Sequence, residues 1–176
     1  MAFIVLLGPK HSGKTSAGAA LARRLTLQFY DLDMLIEERT GKSPRTLYRA
    51  GPEIFRREEV GALTALLDKT GGGILAGGGG IIDNPPALSR LQDHVTVALE
   101  VSAETAWARI AGGGKELPPF LRGESMEASK EKHRILHEER SGAYRIFARY
   151  RICAEGKSSE ELAAELCRLV QGAAGL

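Results

Sequence analysis

The sequence predicts an α/β protein in which a five-stranded parallel sheet carries helices on both faces. Three observations predict it. Short apolar runs alternate with helical patterns along the chain, and that alternation implies parallel strands joined by helical crossovers. The first run, Phe3–Leu7, is apolar throughout and rich in branched side chains, as a strand buried on both faces must be. Between Lys14 and Leu25 the apolar residues Ala17, Leu21 and Leu25 recur four apart, which gives a helix one stripe to lay on the sheet.

The remaining elements follow in order. Residues 8–13 form a loop between the first strand and helix. Residues 28–31 read as a second strand ending in Asp-Leu-Asp. From 34 to about 67 the pattern is helical, interrupted at Gly41 and again around Gly51 and Pro52, where helix breakers cluster. Three helices in succession without a strand predict an inserted, movable lobe over about 33–67. Residues 74–76 form a third strand, and Gly77, Gly78, Gly79 and Gly80 follow it directly. Residues 94–101 supply the fourth strand, 103–111 a helix, 150–154 the fifth strand and 159–170 the C-terminal helix. The stretch 112–125 is rich in glycine and proline with few periodic apolar residues, and it reads as a mobile lid. The charged segment 127–149 reads as one long solvated helix weakened around Gly142. A chain of 176 residues holds one sizeable core, so 1–176 is expected to be a single domain.

Composition narrows the partners. With 43% hydrophobic and 26% charged residues and a formal charge of +2, the chain offers no strong field for nucleic acid or membrane. Its basic residues are interspersed with acidic ones and no aromatic stacking surface is evident, which argues against nucleic-acid binding. No apolar stretch approaches the ~20 residues that cross a bilayer, and the start lacks a basic leader or a cleavage site. We therefore expect a cytoplasmic monomer whose partners are small molecules. Cys153 and Cys167 are the only cysteines, and they read as two reduced core thiols.

The strongest motif is Gly8-Pro9-Lys10-His11-Ser12-Gly13-Lys14-Thr15, which fits G-x-x-x-x-G-K-[ST] and lies between a strand and a helix as that motif requires. Its glycines let the loop wrap closely, so backbone N–H groups and the positive end of the following helix face phosphate oxygens. This predicts an ATP site made of Gly8, Pro9, Lys10, His11, Ser12, Gly13, Lys14, Thr15 and Ser16. Lys14 would bridge the β- and γ-phosphates, and the Thr15 hydroxyl would join a Mg²⁺ shell. His11 is given no catalytic role.

Asp31 and Asp33 stand one residue apart at the end of the second strand, where open α/β sheets collect ligands. One carboxylate would hold magnesium while the other accepts a proton from a substrate hydroxyl; a polar strand end capping the next helix is the plainer alternative. Arg56 and Glu59 share a helix face three apart, so the carboxylate can hold the guanidinium for use on a substrate carboxylate. Taken alone, that stretch is an ordinary solvated charge run.

Together these residues resemble the shikimate kinase family over most of the chain. The resemblance is carried by GPKHSGKT, by Asp31-Leu32-Asp33, by Ile36-Glu37-Glu38-Arg39-Thr40-Gly41-Lys42-Ser43, and by residues 51–59 and 74–80. It implies a P-loop kinase fold like that of nucleoside monophosphate kinases, with a helical substrate-binding lobe and a closing lid. It also implies ATP- and Mg²⁺-dependent phosphorylation of the 3-hydroxyl of shikimate, a step of aromatic amino-acid biosynthesis. By the resemblance, Asp33 contacts the acceptor hydroxyl as base and Asp31 lies near magnesium. Arg56 and Arg140 grip the acceptor carboxylate, and Gly78, Gly79 and Gly80 let backbone approach substrate and phosphate. Arg109 lies against adenine.

Two stretches depart from the family pattern. Its lid carries Arg-Pro-Leu-Leu, whereas this chain has Leu117-Pro118-Pro119-Phe120-Leu121, with Lys115 and Arg122 flanking the place of the arginine. After Arg140 the family's Pro-Leu-Tyr becomes Ser141-Gly142-Ala143-Tyr144. Two other functions stay open at this point: a related kinase with another carboxylate-bearing polyol acceptor, and a nucleotide-binding module with little turnover.

Overall fold

The computed structural model describes residues 2–69, 71–113, 117, 118 and 121–174. In chain order its elements are β1 (Phe3–Leu7), α1 (Lys14–Leu25), β2 (Phe29–Asp31), α2 (Leu32–Thr40), α3 (Pro44–Ala50), α4 (Pro52–Lys69), β3 (Gly73–Ala76), a 3₁₀ turn (Ile81–Asp83), α5 (Pro85–Ser89), β4 (Val95–Glu100), α6 (Ala103–Gly112), α7 (Met126–Phe147), β5 (Tyr150–Cys153) and α8 (Ser159–Ala174). The five strands form one parallel sheet in the order β2-β3-β1-β4-β5.

Strand geometry sends successive side chains to opposite faces, and β1 at the centre feeds both cores. Val5 and Leu7 join Leu75 and Ala98 in the core covered by α2, α4, α5 and α7, which also takes in Leu32, Ile36, Leu63 and Tyr144. Leu6 joins Ile74, Val97 and Leu99 in the opposite core, closed by Ala17 and Leu21 of α1 and by Leu162 and Leu166 of α8. Each leucine buried in this way stabilises the fold by about 1.5–3 kcal/mol.

Local chemistry sets the helix ends. Ser43, Ser102 and Ser125 each accept a backbone N–H of the helix they precede, and Pro44 follows Ser43 at the first helical position. Thr26, in the left-handed region at φ 54°, closes α1. The expected interruptions at Gly41 and Gly51 separate α2, α3 and α4.

Several expectations need correction. The 3₁₀ turn and α5 fall in a stretch that showed no element to sequence reasoning, because five residues beginning Pro-Pro have no periodicity to read. Helix α7 passes through Gly142 unbroken, and a Cβ added there would meet nothing within 4 Å. Nor is α7 solvated all round, since Ser129, His133, His137 and Tyr144 are buried along one side. The His133 ring sits between those of Trp107 and His137, 5.5 Å from each, and burial lowers its pKa to about 4. Cys153 is exposed and Cys167 half-buried, so Cys153 is not a core thiol. No described helix is long and apolar enough to cross a membrane.

Candidate active site

The carboxyl ends of β1, β2 and β3 open into a cavity of about 740 Å³, walled also by the three-helix lobe, α6 and α7. Its phosphate-type loop springs from β1. Gly13 sits at φ 95°, a left-handed value that favours glycine, and caps α1. Gly8 sits at φ 138°, where a Cβ would lie 2.5 Å from the Leu99 carbonyl oxygen, so the loop root needs a residue without a side chain. Lys10, His11, Ser12, Gly13, Lys14, Thr15 and Ser16 line the cavity. Gly8 and Pro9 lie behind it and act through their carbonyls: the Lys14 ammonium donates to Gly8 O at 2.9 Å, Pro9 O at 2.8 Å and Ser12 Oγ at 3.4 Å.

Lys14 is buried, and burial lowers its pKa to about 8 even though Asp33 and Asp31 pull it upward. Asp33 keeps an exposed edge within the concave wall. The protein around it raises its carboxyl above the ordinary range, with Asp31 adding to that push and Lys14 and Lys10 opposing it. Asp31 caps the next helix and also reaches the phosphate-type loop. Its Oδ1 accepts the Asp33 N–H at 3.0 Å and so caps α2, while its Oδ2 accepts the Thr15 hydroxyl at 2.7 Å. Two hard oxygens side by side next to the loop lysine are the donor type that Mg²⁺ takes, so this corner fits the ion.

The glycine run forms the floor. A Cβ on Gly78 would lie 2.8 Å from Glu59 Oε1 and 3.5 Å from Asp33 Oδ1. One on Gly79 would lie 3.0 to 3.1 Å from the Lys10 backbone, and one on Gly80 3.1 Å from Arg140 Nη2. The run therefore fits between the phosphate-type loop and the charged groups opposite it only because it has no side chains.

Arg56, from α4, and Arg140, from α7, both line the cavity. The expected grip of Glu59 on Arg56 is absent. Arg56 Nη1 instead donates to the carbonyl of Asp83, and Glu59 accepts the Asn84 amide at 2.8 Å. Glu59 is buried, at 1% exposure. Burial raises its pKa to about 7, and its Oε1, beside Gly78, has no hydrogen-bond partner. Arg140 donates through Nε at 3.0 Å and Nη2 at 2.6 Å to Asp83 Oδ2. Arg109 lies at the far end of the cavity and donates to His11 O at 2.7 Å.

Pro118 lines the cavity where the resembling family has its lid arginine, and the adjoining Leu117 carbonyl accepts Arg45 Nη2 at 2.7 Å. Arg122 is exposed and does not belong to the cavity wall; Lys115 lies outside the described residues. Sequence reasoning missed Asp83, Asn84 and Arg45. Only their position beside recognised motifs hinted at them, since the side-chain hydrogen bonds that tie them into the site span 25 or more residues.

A family model for shikimate kinase matches residues 10–171. Among curated proteins, the shikimate kinase of Mycobacterium avium is 37% identical over 84% of this chain and 81% of its own length. The Mycobacterium tuberculosis enzyme stands at the same values. Among solved structures, a shikimate kinase from Acinetobacter baumannii in complex with shikimate superposes with a TM-score of 0.87 at 29% identity, covering 98% of this chain and 94% of that one. The enzyme from Aquifex aeolicus gives 0.78 at 29% identity, covering 97% of each chain.

Proposed function

The chain belongs to the shikimate kinase family, and from that premise we propose that it transfers the γ-phosphoryl group of ATP to the 3-hydroxyl of shikimate. The observation that carries this reading is one cavity whose wall holds Lys14, Asp33, Arg56 and Arg140 together.

In this reading the loop N–H groups and Lys14 bind the triphosphate, and Arg109 flanks the adenine. Arg56 and Arg140 pair with the acceptor carboxylate and so aim the 3-hydroxyl at the γ-phosphorus. Asp33, its carboxyl already raised, accepts the hydroxyl proton as the oxygen attacks and ADP leaves. Thr15 and Asp31 would hold Mg²⁺, which would offset the charge of the phosphate oxygens. Gly78, Gly79 and Gly80 let ring and phosphate approach the backbone. The lobe over about 33–67 carries the acceptor side; of the lid expected over 112–125, residues 114–116, 119 and 120 lie outside the described residues. A cytoplasmic monomer is the setting in which we place this activity.

A coupled ADP-release assay tests the assignment. Release that requires shikimate and disappears in Asp33→Ala supports it. ATP binding without release under shikimate, or release with another carboxylated polyol only, overturns it.

A further inference from the structure

Between Arg56 and Arg140 stands a residue that none of the motifs contains. Asp83 ends the 3₁₀ turn behind the glycine run, where its N–H donates to Gly80 O at 3.0 Å. Its two acceptors serve two different helices. The backbone carbonyl takes Arg56 Nη1 from α4, and the carboxylate takes Nε and Nη2 of Arg140 from α7. The neighbouring Asn84 is buried and returns the connection, its amide donating to Arg56 O at 3.0 Å and to Glu59 at 2.8 Å. The Arg140 and Asp83 side chains are only 15% and 32% exposed, so their ion pair is far less screened than one on the open surface.

We propose that Asp83 is a positioning residue of the acceptor site, holding Arg56 and Arg140 at the one separation and tilt that grips a single carboxylate. The inference rests on the reading of the acceptor site given above. Two guanidiniums on one cavity wall repel each other, and each sits on a long side chain with many rotamers. Fixing them before the substrate arrives removes that ordering cost from binding. The geometry suits the task. A guanidinium has five donors in a planar fork, and Asp83 engages Arg140 through its Nε side, which sets the plane in which the rest of the fork lies.

The test is Asp83→Asn in the full chain, with ADP release titrated separately in shikimate and in ATP. Loss of one partly buried charge pair is expected to raise KM for shikimate about tenfold, with kcat within about twofold and KM for ATP unchanged. In an Arg140→Ala background the same change should add no further increase, because the Asp83 carboxylate then has no guanidinium to hold and its backbone carbonyl still takes Arg56 in either variant. An unchanged KM for shikimate, a lowered one, an equal increase in the Arg140→Ala background, or a parallel loss of kcat and ATP affinity each overturns the proposal. A lowered KM would mean that Asp83 competes with the substrate. Should Asp83→Asn lose its cooperative melt, Asp83→Ser is read by the same criteria. Wild-type protein that releases no ADP with shikimate removes the acceptor assignment, and this inference with it, before any variant is made.

Discussion

Burial inside its own loop draws Lys14 down to about 8, while Asp33 and Asp31 pull it back toward the charged form. Below about pH 8 the ammonium is charged and attracts phosphate; above it the proton is lost and ATP binding weakens. A bound triphosphate adds negative charge beside Lys14 and raises its pKa, so ATP binding at about pH 8.5 should take up part of a proton. Calorimetry in two buffers of different ionisation enthalpy measures this directly, and zero uptake would contradict it. Burial shifts the Glu59 pKa the other way, upward. Its carboxyl ionises near 4.5 in an unfolded chain and at about 7 in the fold, so the native state holds a proton that the unfolded state has released. Stability should therefore fall as pH rises through that window, and Glu59→Gln should flatten the dependence when melting is compared at about pH 5 and about pH 7.5. Lys14, Asp31 and Asp33 were legible in the sequence because their chemistry lies in short motifs next to a strand end. The true partners of Arg56 and Glu59 were not, because helix spacing tells which residues share a face and says nothing of what another segment brings to that face.

At the scale of elements, the glycine run is the part with least latitude. A methyl on Gly79 would press on the Lys10 backbone at 3.0 to 3.1 Å, and backbone cannot swing aside as a flexible side chain can. Gly79→Ala should thus keep its fold and displace the phosphate-type loop, lowering kcat/KM about 10²-fold. A circular-dichroism melt alongside the ADP-release assay separates that outcome from simple unfolding. Ser43, Ser102 and Ser125 fix the starts of α3, α6 and α7 in the fold. Helix α5 was not legible in the sequence, being short and proline-led, and the buried side of α7 was hidden because Ser129, His133 and His137 are polar residues that no apolar pattern marks.

For the whole molecule, the alternation of strands and helices was enough to specify a parallel sheet of five strands. The order β2-β3-β1-β4-β5 is a matter of pairing between distant segments, which no local pattern carries. That order puts β1 in the middle and its loop at the cavity, with Asp33, Arg56 and Arg140 arriving from α2, α4 and α7. Ligands that fill such a cleft bind the folded chain alone. ATP at about a hundred times its Kd should raise the melting temperature by about 5–10 °C. Shikimate added on top should raise it further in the wild type and less in Arg140→Ala, a comparison that differential scanning fluorimetry supplies.

Gly142 has open space around it in the middle of an unbroken helix. An alanine there gains helix propensity and narrows the unfolded ensemble, a gain of about 0.5–1 kcal/mol. This leaves the protein an unused margin of durability, close to Arg140 in sequence yet crowding nothing, and it makes Gly142→Ala a natural host in which to study harsher changes elsewhere.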